Sequence, residues 1–95
     1  MAIARRVIVR GRVQGVWYRG WTVREASGLG LDGWVRNRSD GSVEALFAGE
    51  SETVDAMIER CRAGPRMADV TSVDVEPAEV PETAGFVQLP TSACG

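Results

Sequence analysis

The sequence predicts an α+β fold, a split βαββαβ sandwich with two helices on one face of an antiparallel sheet and an extra short edge strand. Segments in which apolar and polar residues alternate, as in half-buried strands, are interleaved with two segments of helical character. Their order along the chain is strand, helix, strand, strand, helix, strand, and then one further short strand. With no linker or repeat to divide the chain, we expect residues 1–95 to form a single domain.

The first strand is predicted over residues 4–13, where Val7 and Val9 alternate with Ile8 and Arg10. One face of this strand should belong to the core, and the other should be largely exposed to water. A loop at residues 14–18 then leads into the first helix, predicted over residues 19–29. This stretch lacks proline, and Gly30 follows it as a left-handed cap.

Strands two and three are predicted over residues 33–38 and 42–48, joined by a tight antiparallel hairpin. Asp40 and Gly41 lie between them, and this dipeptide favours the positive backbone angles of such a turn. The face of the third strand that meets the core should be the one that carries Val43, Ala45 and Phe47.

The second helix is predicted to begin with Ser51 as its N-cap and to end before Gly64 and Pro65. Its apolar residues recur at the i, i+3, i+4, i+7 spacing of an amphipathic helix, and they are Val54, Met57, Ile58 and Cys61.

The fourth strand is predicted over residues 68–76, with an irregular apolar spacing that indicates a bulge. The last short strand, residues 86–89, should lie at a sheet edge because Pro90 cannot donate to a ladder. The complete order of elements is that of the ferredoxin-like sandwich.

Composition excludes several classes of protein. The chain has 95 residues, of which 44% are hydrophobic, and it lacks an apolar stretch near the roughly 20 residues of a membrane-spanning helix. Its 11 basic residues are all arginine and its 13 acidic residues outnumber them, which argues against a module that binds nucleic acid through bulk positive charge. The chain has no histidine, so histidine-dependent triads and zinc hydrolase sites are excluded.

The two cysteines, Cys61 and Cys94, are too few and too far apart for a disulfide framework or a Cys-x-x-Cys metal site. The short apolar run at residues 7–9 is interrupted by Arg10, well short of a secretory signal. We therefore expect a cytoplasmic protein with Cys61 packed in the core. A single small core without an unexplained apolar stripe favours a monomer.

The loop between the first strand and the first helix is the candidate site. A helix N-terminus offers unpaired N–H donors and a positive macrodipole, and Gly15 allows close approach to the backbone, so an oxyanion fits there. Arg19 can add a bidentate fork to the same anion. The alternative interpretation is an ordinary tight turn followed by a solvated arginine.

Two segments of the chain resemble the acylphosphatase family, and the resemblance extends from about residue 5 to residue 89. The first segment includes Gly11, Val13, Gln14, Gly15, Val16 and Arg19. The second runs from Ala26 to Glu44 and includes Gly33, Trp34, Val35, Arg36, Asn37, Asp40 and Gly41. Gly64, Pro65, Ala68 and Val70 continue the match.

The resemblance implies a small stand-alone acylphosphatase, which hydrolyses the carboxyl-phosphate bond of an acyl phosphate to a carboxylate and inorganic phosphate. Arg19 matches the family's phosphate-binding arginine, and Asn37 matches the asparagine that orients the attacking water. The backbone N–H groups of Gly15, Val16, Trp17, Tyr18 and Arg19 would form a phosphate cradle. Because the leaving carboxylate is a stable anion, no general acid is required. The remaining tasks are positioning and electrostatic stabilisation, so we expect no metal, no cofactor and no covalent enzyme intermediate.

Other interpretations stay open at this stage. Asn37 could instead help form the neighbouring hairpin, and Arg36 and Arg38 could be solvated charges or could attract an anionic substrate. Trp21 and Trp34 are expected to pack against the sheet and helix. A nucleic-acid module of the same fold lacks support, since the first strand carries no aromatic residue. The second candidate function is that of a non-catalytic phosphate-binding module of this fold. Such a module would act as one domain of a larger maturation protein, and the length of 95 residues argues against that interpretation.

Overall fold

The computed structural model describes residues 2–92. The elements follow in the order β1 (Ala2–Arg12), α1 (Tyr18–Gly28), β2 (Asp32–Asn37), β3 (Val43–Glu50), α2 (Ser51–Ala63), β4 (Asp69–Ala78) and β5 (Phe86–Gln88). This order confirms the predicted α+β fold. Cys94 lies outside the described residues.

The five strands form one sheet in the order β4-β1-β3-β2-β5. The pairs β1–β3, β1–β4 and β2–β3 are antiparallel as predicted, whereas the edge strand β5 pairs in parallel with β2. The reason is topological, because the chain leaves β4 at one edge and crosses to the other along one end of the sheet. Starting again from that end, β5 must run opposite to β4 and therefore in the direction of β2.

Both helices pack on one face of the sheet. This face carries Val7 and Val9 of β1 and the predicted Val43, Ala45 and Phe47 of β3, all buried in a single cluster. The helices add their own apolar sides to it, with Trp21 and Ala26 from α1 and Val54, Met57, Ile58 and Cys61 from α2. The predicted core face of β3 is therefore confirmed.

The opposite face of the sheet is less exposed than predicted. Ala4 and Ile8 of β1 are buried there, and Glu44 of β3 is only 3% exposed. Glu44 accepts hydrogen bonds from Arg6 at 2.5 Å and from Arg36 at 2.7 Å. Burial alone would raise the pKa of Glu44, but these two guanidinium groups outweigh it and lower the pKa. Arg36 is thus an ion-pair partner rather than a solvated charge.

The predicted N-cap of α2 is wrong, whereas the predicted bulge in β4 is confirmed. Ser51 is the first residue of α2 rather than its N-cap, because the extended Glu50 precedes the helix and makes no side-chain cap hydrogen bond. The predicted bulge in β4 is present, since the register shifts where Arg10 and Gly11 pair with Ser72 and Val70. Neither helix within residues 2–92 is long and apolar enough to cross a membrane.

The sheet brings the ends of three strands together. Because β1 and β2 are both antiparallel to β3, they run in the same direction, and β5 runs with them. The C-terminal ends of β1, β2 and β5 therefore lie at the same end of the sheet. The loop that follows β1, the last residue of β2 and the end of β5 meet there.

Candidate active site

A cavity of about 180 Å³ lies at the end of the sheet where β1, β2 and β5 end. It is lined by Val13, Gly15, Trp17, Tyr18, Arg19, Gly20, Asn37 and Gln88. The structure thus brings Arg19 and Asn37, which are 18 positions apart in the sequence, into one cavity with most of the predicted cradle. Val16 is the exception, because it lines a neighbouring groove instead. The described lining residues include no carboxylate, so nothing in the wall repels an anion.

The loop that lines this cavity carries backbone N–H donors without partners among residues 2–92. Gly15 has φ 73° and Trp17 has φ 65°, while Val16 between them does not adopt a positive φ. Left-handed residues in such a turn are typical of loops whose successive N–H groups form a concave anion site. Within residues 2–92, the N–H groups of residues 15–20 donate no hydrogen bond, and the first helical bond joins Trp21 N–H to Trp17 C=O.

Arg19 lies in the first turn of α1 and is half-buried. Within residues 2–92 its guanidinium forms neither an ion pair nor a hydrogen bond, so its donors are available to a ligand. The contrast with most other arginines is clear, since those in ion pairs are Arg6, Arg10, Arg24, Arg36, Arg38, Arg60 and Arg62.

Asn37 is the last residue of β2, and its side chain lies on the helix-bearing face with Val35. Its Oδ1 atom is buried and has no hydrogen-bond partner. A buried amide oxygen without a donor is unfavourable and rare in folded proteins. An acceptor in this position is suited to receive a hydrogen bond from a molecule that enters the cavity.

The hairpin after Asn37 is held by other residues. Asp40 accepts hydrogen bonds from the Ser42 hydroxyl at 2.5 Å and from the Ser42 N–H at 2.9 Å, and these bonds lower the pKa of Asp40. Gly41 supplies the positive φ of 93° that the turn requires. The Asn37 side chain is therefore not needed to form the turn.

The side chains of Trp17 and Tyr18 point in opposite directions. Trp17 is 58% exposed at the rim, whereas Tyr18 is 2% exposed in the core and packs edge-on against Trp21. Only the backbone of Tyr18 can therefore serve the cradle. Cys61, also in the core, has a pKa raised by burial to about 12, so its thiol is protonated at neutral pH.

Two amide side chains at the site, those of Gln14 and Gln88, were assigned no function from the sequence. Gln14 donates from Nε2 to the C=O groups of Arg38 at 2.8 Å and Ser42 at 2.9 Å, which ties the cradle loop to the hairpin beside Asn37. Gln88 lines the cavity from β5. The partners of Gln14 lie 24 and 28 residues away, so only its place in the loop segment that resembles the family could have pointed to it.

Replacing Tyr18 with phenylalanine tests how the cradle is anchored. The Tyr18 hydroxyl donates at 2.7 Å to the C=O of Cys61, one of the last carbonyls of α2, which lack partners within the helix. Tyr18→Phe leaves this buried carbonyl unpaired, so we expect the free energy of unfolding to fall by about 1–3 kcal/mol. Urea unfolding measures the change, and an unaltered midpoint would show that the hydrogen bond contributes nothing to stability.

Comparison with known proteins relates this geometry to a family. The family model described as Acylphosphatase matches residues 5–88. The acylphosphatase of Rhizorhabdus wittichii is 57% identical over 89 residues, which covers 94% of this chain and 90% of that protein. The solved structure of an acylphosphatase from Coxiella burnetii superposes with a TM-score of 0.89 at 34% identity, over 93% of each chain.

A similar domain also occurs within a larger protein. Full-length HypF, in its phosphate- and nucleotide-bound form, superposes with a TM-score of 0.88 at 27% identity, over 96% of this chain but 12% of HypF. The family match includes the cradle loop, β2 and both helices, and the Rhizorhabdus relative is more than half identical along nearly its whole length. This chain therefore belongs to the acylphosphatase family and is a hydrolase that acts on acyl phosphates.

Proposed function

We propose that the cavity beside Asn37 is the catalytic centre, and that an acyl phosphate is hydrolysed there by in-line attack of a water, without a metal ion or a covalent enzyme intermediate. In this proposal the N–H groups of Gly15–Arg19 and the Arg19 guanidinium bind the phosphoryl oxygens, and Asn37 orients the water. The observation that carries the proposal is the buried, unpartnered Oδ1 of Asn37 in the same cavity as these free donors.

The donors suit a phosphoryl group because they are numerous, fixed and positively polarised. Backbone N–H groups at the start of α1 add the positive end of its macrodipole, and Arg19 adds a full charge with a planar fork. Donors already fixed in place stabilise the charge that spreads over the phosphoryl oxygens in the transition state. Holding this group and one water in line requires positioning and electrostatics rather than a side-chain nucleophile.

The bond changes balance without a side-chain acid. The water oxygen bonds to phosphorus while the bond between phosphorus and the acyl oxygen breaks, and that electron pair leaves on the carboxylate. A carboxylate is stable as an anion near neutral pH, so no proton has to be supplied to it. The proton lost by the water passes to a phosphoryl oxygen, and Asn37 Oδ1 accepts a hydrogen bond that holds the water in place.

The remaining features of the proposal concern the protein as a whole. We expect residues 1–95 to act as a single domain, as a monomer in the cytoplasm, on a small-molecule substrate and without nucleic acid or a membrane. The net charge of −2 supports the expectation about nucleic acid, as does the pairing of Arg6 and Arg36 with Glu44 on the face of the sheet opposite the helices. Size-exclusion chromatography with light scattering measures the molar mass in solution and so tests whether the protein is a monomer.

Hydrolysis of benzoyl phosphate in excess chelator tests the proposed mechanism. The expected result is rapid release of benzoate and phosphate that the chelator does not alter, with competitive inhibition by inorganic phosphate. Activity that disappears with the chelator and returns with a divalent cation would contradict the metal-free mechanism. Folded protein that binds phosphate without turnover would instead support the non-catalytic phosphate-binding module.

A further inference from the structure

A second hollow lies beside the catalytic cavity, and we call it the acyl groove. It has a volume of about 360 Å³, and its apolar lining consists of Val16, Trp17, Trp21, Pro65 and Met67. Trp17 lines both hollows, so the groove and the catalytic cavity share one wall. A ligand held by the backbone of Trp17 would therefore lie next to an apolar surface formed by the same residue.

Two of the groove's side chains are unusually exposed for their type. Trp17 is 58% exposed and Met67 is 64% exposed, the highest values among the large hydrophobic residues that the structure describes. Single exposed apolar residues are common, but two that line one concave surface at an active site point to a ligand that covers them. Covering such surface is favourable by roughly 25 cal/mol per Å² of apolar area.

The Trp17 ring is held in a defined position rather than free to turn. It lies against Gly20, where an added methyl group would be 2.1 Å from the ring Nε1 atom. The Arg24 guanidinium lies 4.9 Å from the ring centroid, a cation–π contact. Preorganised aromatic walls of this kind bind a ligand without a large loss of side-chain entropy.

The direction of the reaction also favours this groove. In-line attack places the leaving group on the side of phosphorus opposite to the attacking water. Asn37, which holds the water, lines the catalytic cavity but not the groove, whereas Met67 and Pro65 line the groove but not the cavity. The acyl group of a bound substrate should therefore extend away from Asn37 and past Trp17.

The charges at the groove indicate what the acyl group carries. Arg24 and Arg66 line it, and its described lining includes no carboxylate. Arg66 is exposed and, within residues 2–92, forms no ion pair. Arg24 is already paired with Glu25 at 3.4 Å, so Arg66 is the groove cation that can bind an anionic end of an apolar ligand.

We propose that this groove binds the acyl part of the substrate, and that the preferred substrates are acyl phosphates with a bulky apolar or aromatic acyl group bearing a distal carboxylate. This inference rests on the proposed function of the neighbouring cavity. It makes Met67 and Arg66 determinants of specificity outside the phosphate cradle.

Three substrates separate these contributions: acetyl phosphate, benzoyl phosphate and 4-carboxybenzoyl phosphate. Met67→Ala should lower kcat/KM about 10-fold for the two aromatic substrates, since it removes apolar contact area, and should leave acetyl phosphate unchanged. Arg66→Gln should lower kcat/KM up to about fivefold for 4-carboxybenzoyl phosphate alone, the range of an exposed ion pair. Both side chains are exposed, so neither substitution should impair folding.

Val80→Ala and Arg62→Gln are the matched controls, because both side chains are exposed and lie outside the groove. They should change none of the three values. Suppose that Met67→Ala and Arg66→Gln leave the ratios of kcat/KM among the three substrates unaltered, while wild-type protein hydrolyses acetyl phosphate. The proposal that the groove binds the acyl group is then wrong, and the proposal for the catalytic cavity is unaffected. If wild-type protein hydrolyses none of the three, the proposed function fails and the groove proposal fails with it.

Discussion

Replacing Arg19 with alanine is expected to lower kcat/KM for benzoyl phosphate by roughly 10²–10³-fold, the effect of losing one strong oxyanion donor, about 2.7–4 kcal/mol. Arg19 is the charged side chain in the cavity, and the structure shows no competing partner for it within residues 2–92. Its fork is therefore free to bind the phosphoryl oxygens in both the ground state and the transition state. Competitive inhibition by inorganic phosphate should weaken together with turnover.

Two further variants define what Arg19 contributes. Arg19→Lys keeps the positive charge but lacks the planar fork, so its activity should lie between those of wild type and Arg19→Ala. Arg62→Ala removes an arginine that is ion-paired at 2.8 Å to Glu59 on α2, and it should leave both turnover and phosphate inhibition unchanged. Retention of full activity by Arg19→Ala would remove Arg19 from the catalytic centre.

The free energy of unfolding of Arg19→Ala provides an independent test of whether Arg19 acts in binding or in folding. Arg19 is half-buried but its guanidinium has no partner within residues 2–92, so its loss should lower the free energy of unfolding by no more than about 0.5 kcal/mol, as for substitutions that break no specific interaction. A variant that loses activity while it keeps its stability separates a role in binding from a role in folding. Urea unfolding of Arg19→Ala alongside wild type makes the comparison.

The elements of this fold were predictable because their signals are local. Val7 and Val9 alternate with polar neighbours, and Val54, Met57, Ile58 and Cys61 repeat at helical spacing, so each segment indicates its own conformation. The boundaries were less accurate. Ser51 has the side chain of a good N-cap, yet Glu50 occupies the N-cap position and Ser51 is the first helical residue. The reason is that β3 continues to Glu50 and leads directly into α2.

The buried second face of the sheet could not be predicted because it depends on distant partners. Glu44 looks like a solvated residue in the sequence, but β1 brings Arg6 to it from 38 positions away, and β2 brings Arg36. The parallel pairing of β5 likewise depends on where the chain crosses the sheet, which no local pattern encodes.

The candidate site was predictable in part. The loop pattern around Gly15 indicates an anion site at a helix N-terminus, and the resemblance to acylphosphatases singled out Arg19 and Asn37. The inward turn of Tyr18 was not predictable, because it follows from the left-handed conformation of Trp17 just before the helix. Gln14 was also missed as a link between loop and hairpin, since its contacts exist only in three dimensions.

The unpartnered Oδ1 of Asn37 leads to an expected separation of activity from stability. Asn37→Ala should lower kcat about 100-fold, the order of effect when a reacting group is misplaced, since the water loses the acceptor that holds it in line. Inhibition by inorganic phosphate should change little, because the donors of residues 15–20 and Arg19 remain. Initial rates with benzoyl phosphate, with and without phosphate, measure both quantities.

The same substitution should not destabilise the protein, and this outcome distinguishes catalysis from a role in the hairpin. A buried acceptor without a partner costs about 1–3 kcal/mol, so its removal is expected to leave the free energy of unfolding unchanged or raise it. Asp40→Ala is the matched variant, because it removes the bonds to Ser42 that do hold the turn, and it should destabilise. If Asn37→Ala unfolds at lower urea and keeps its turnover number, Asn37 belongs to the hairpin, and the water must be oriented by another group in the cavity.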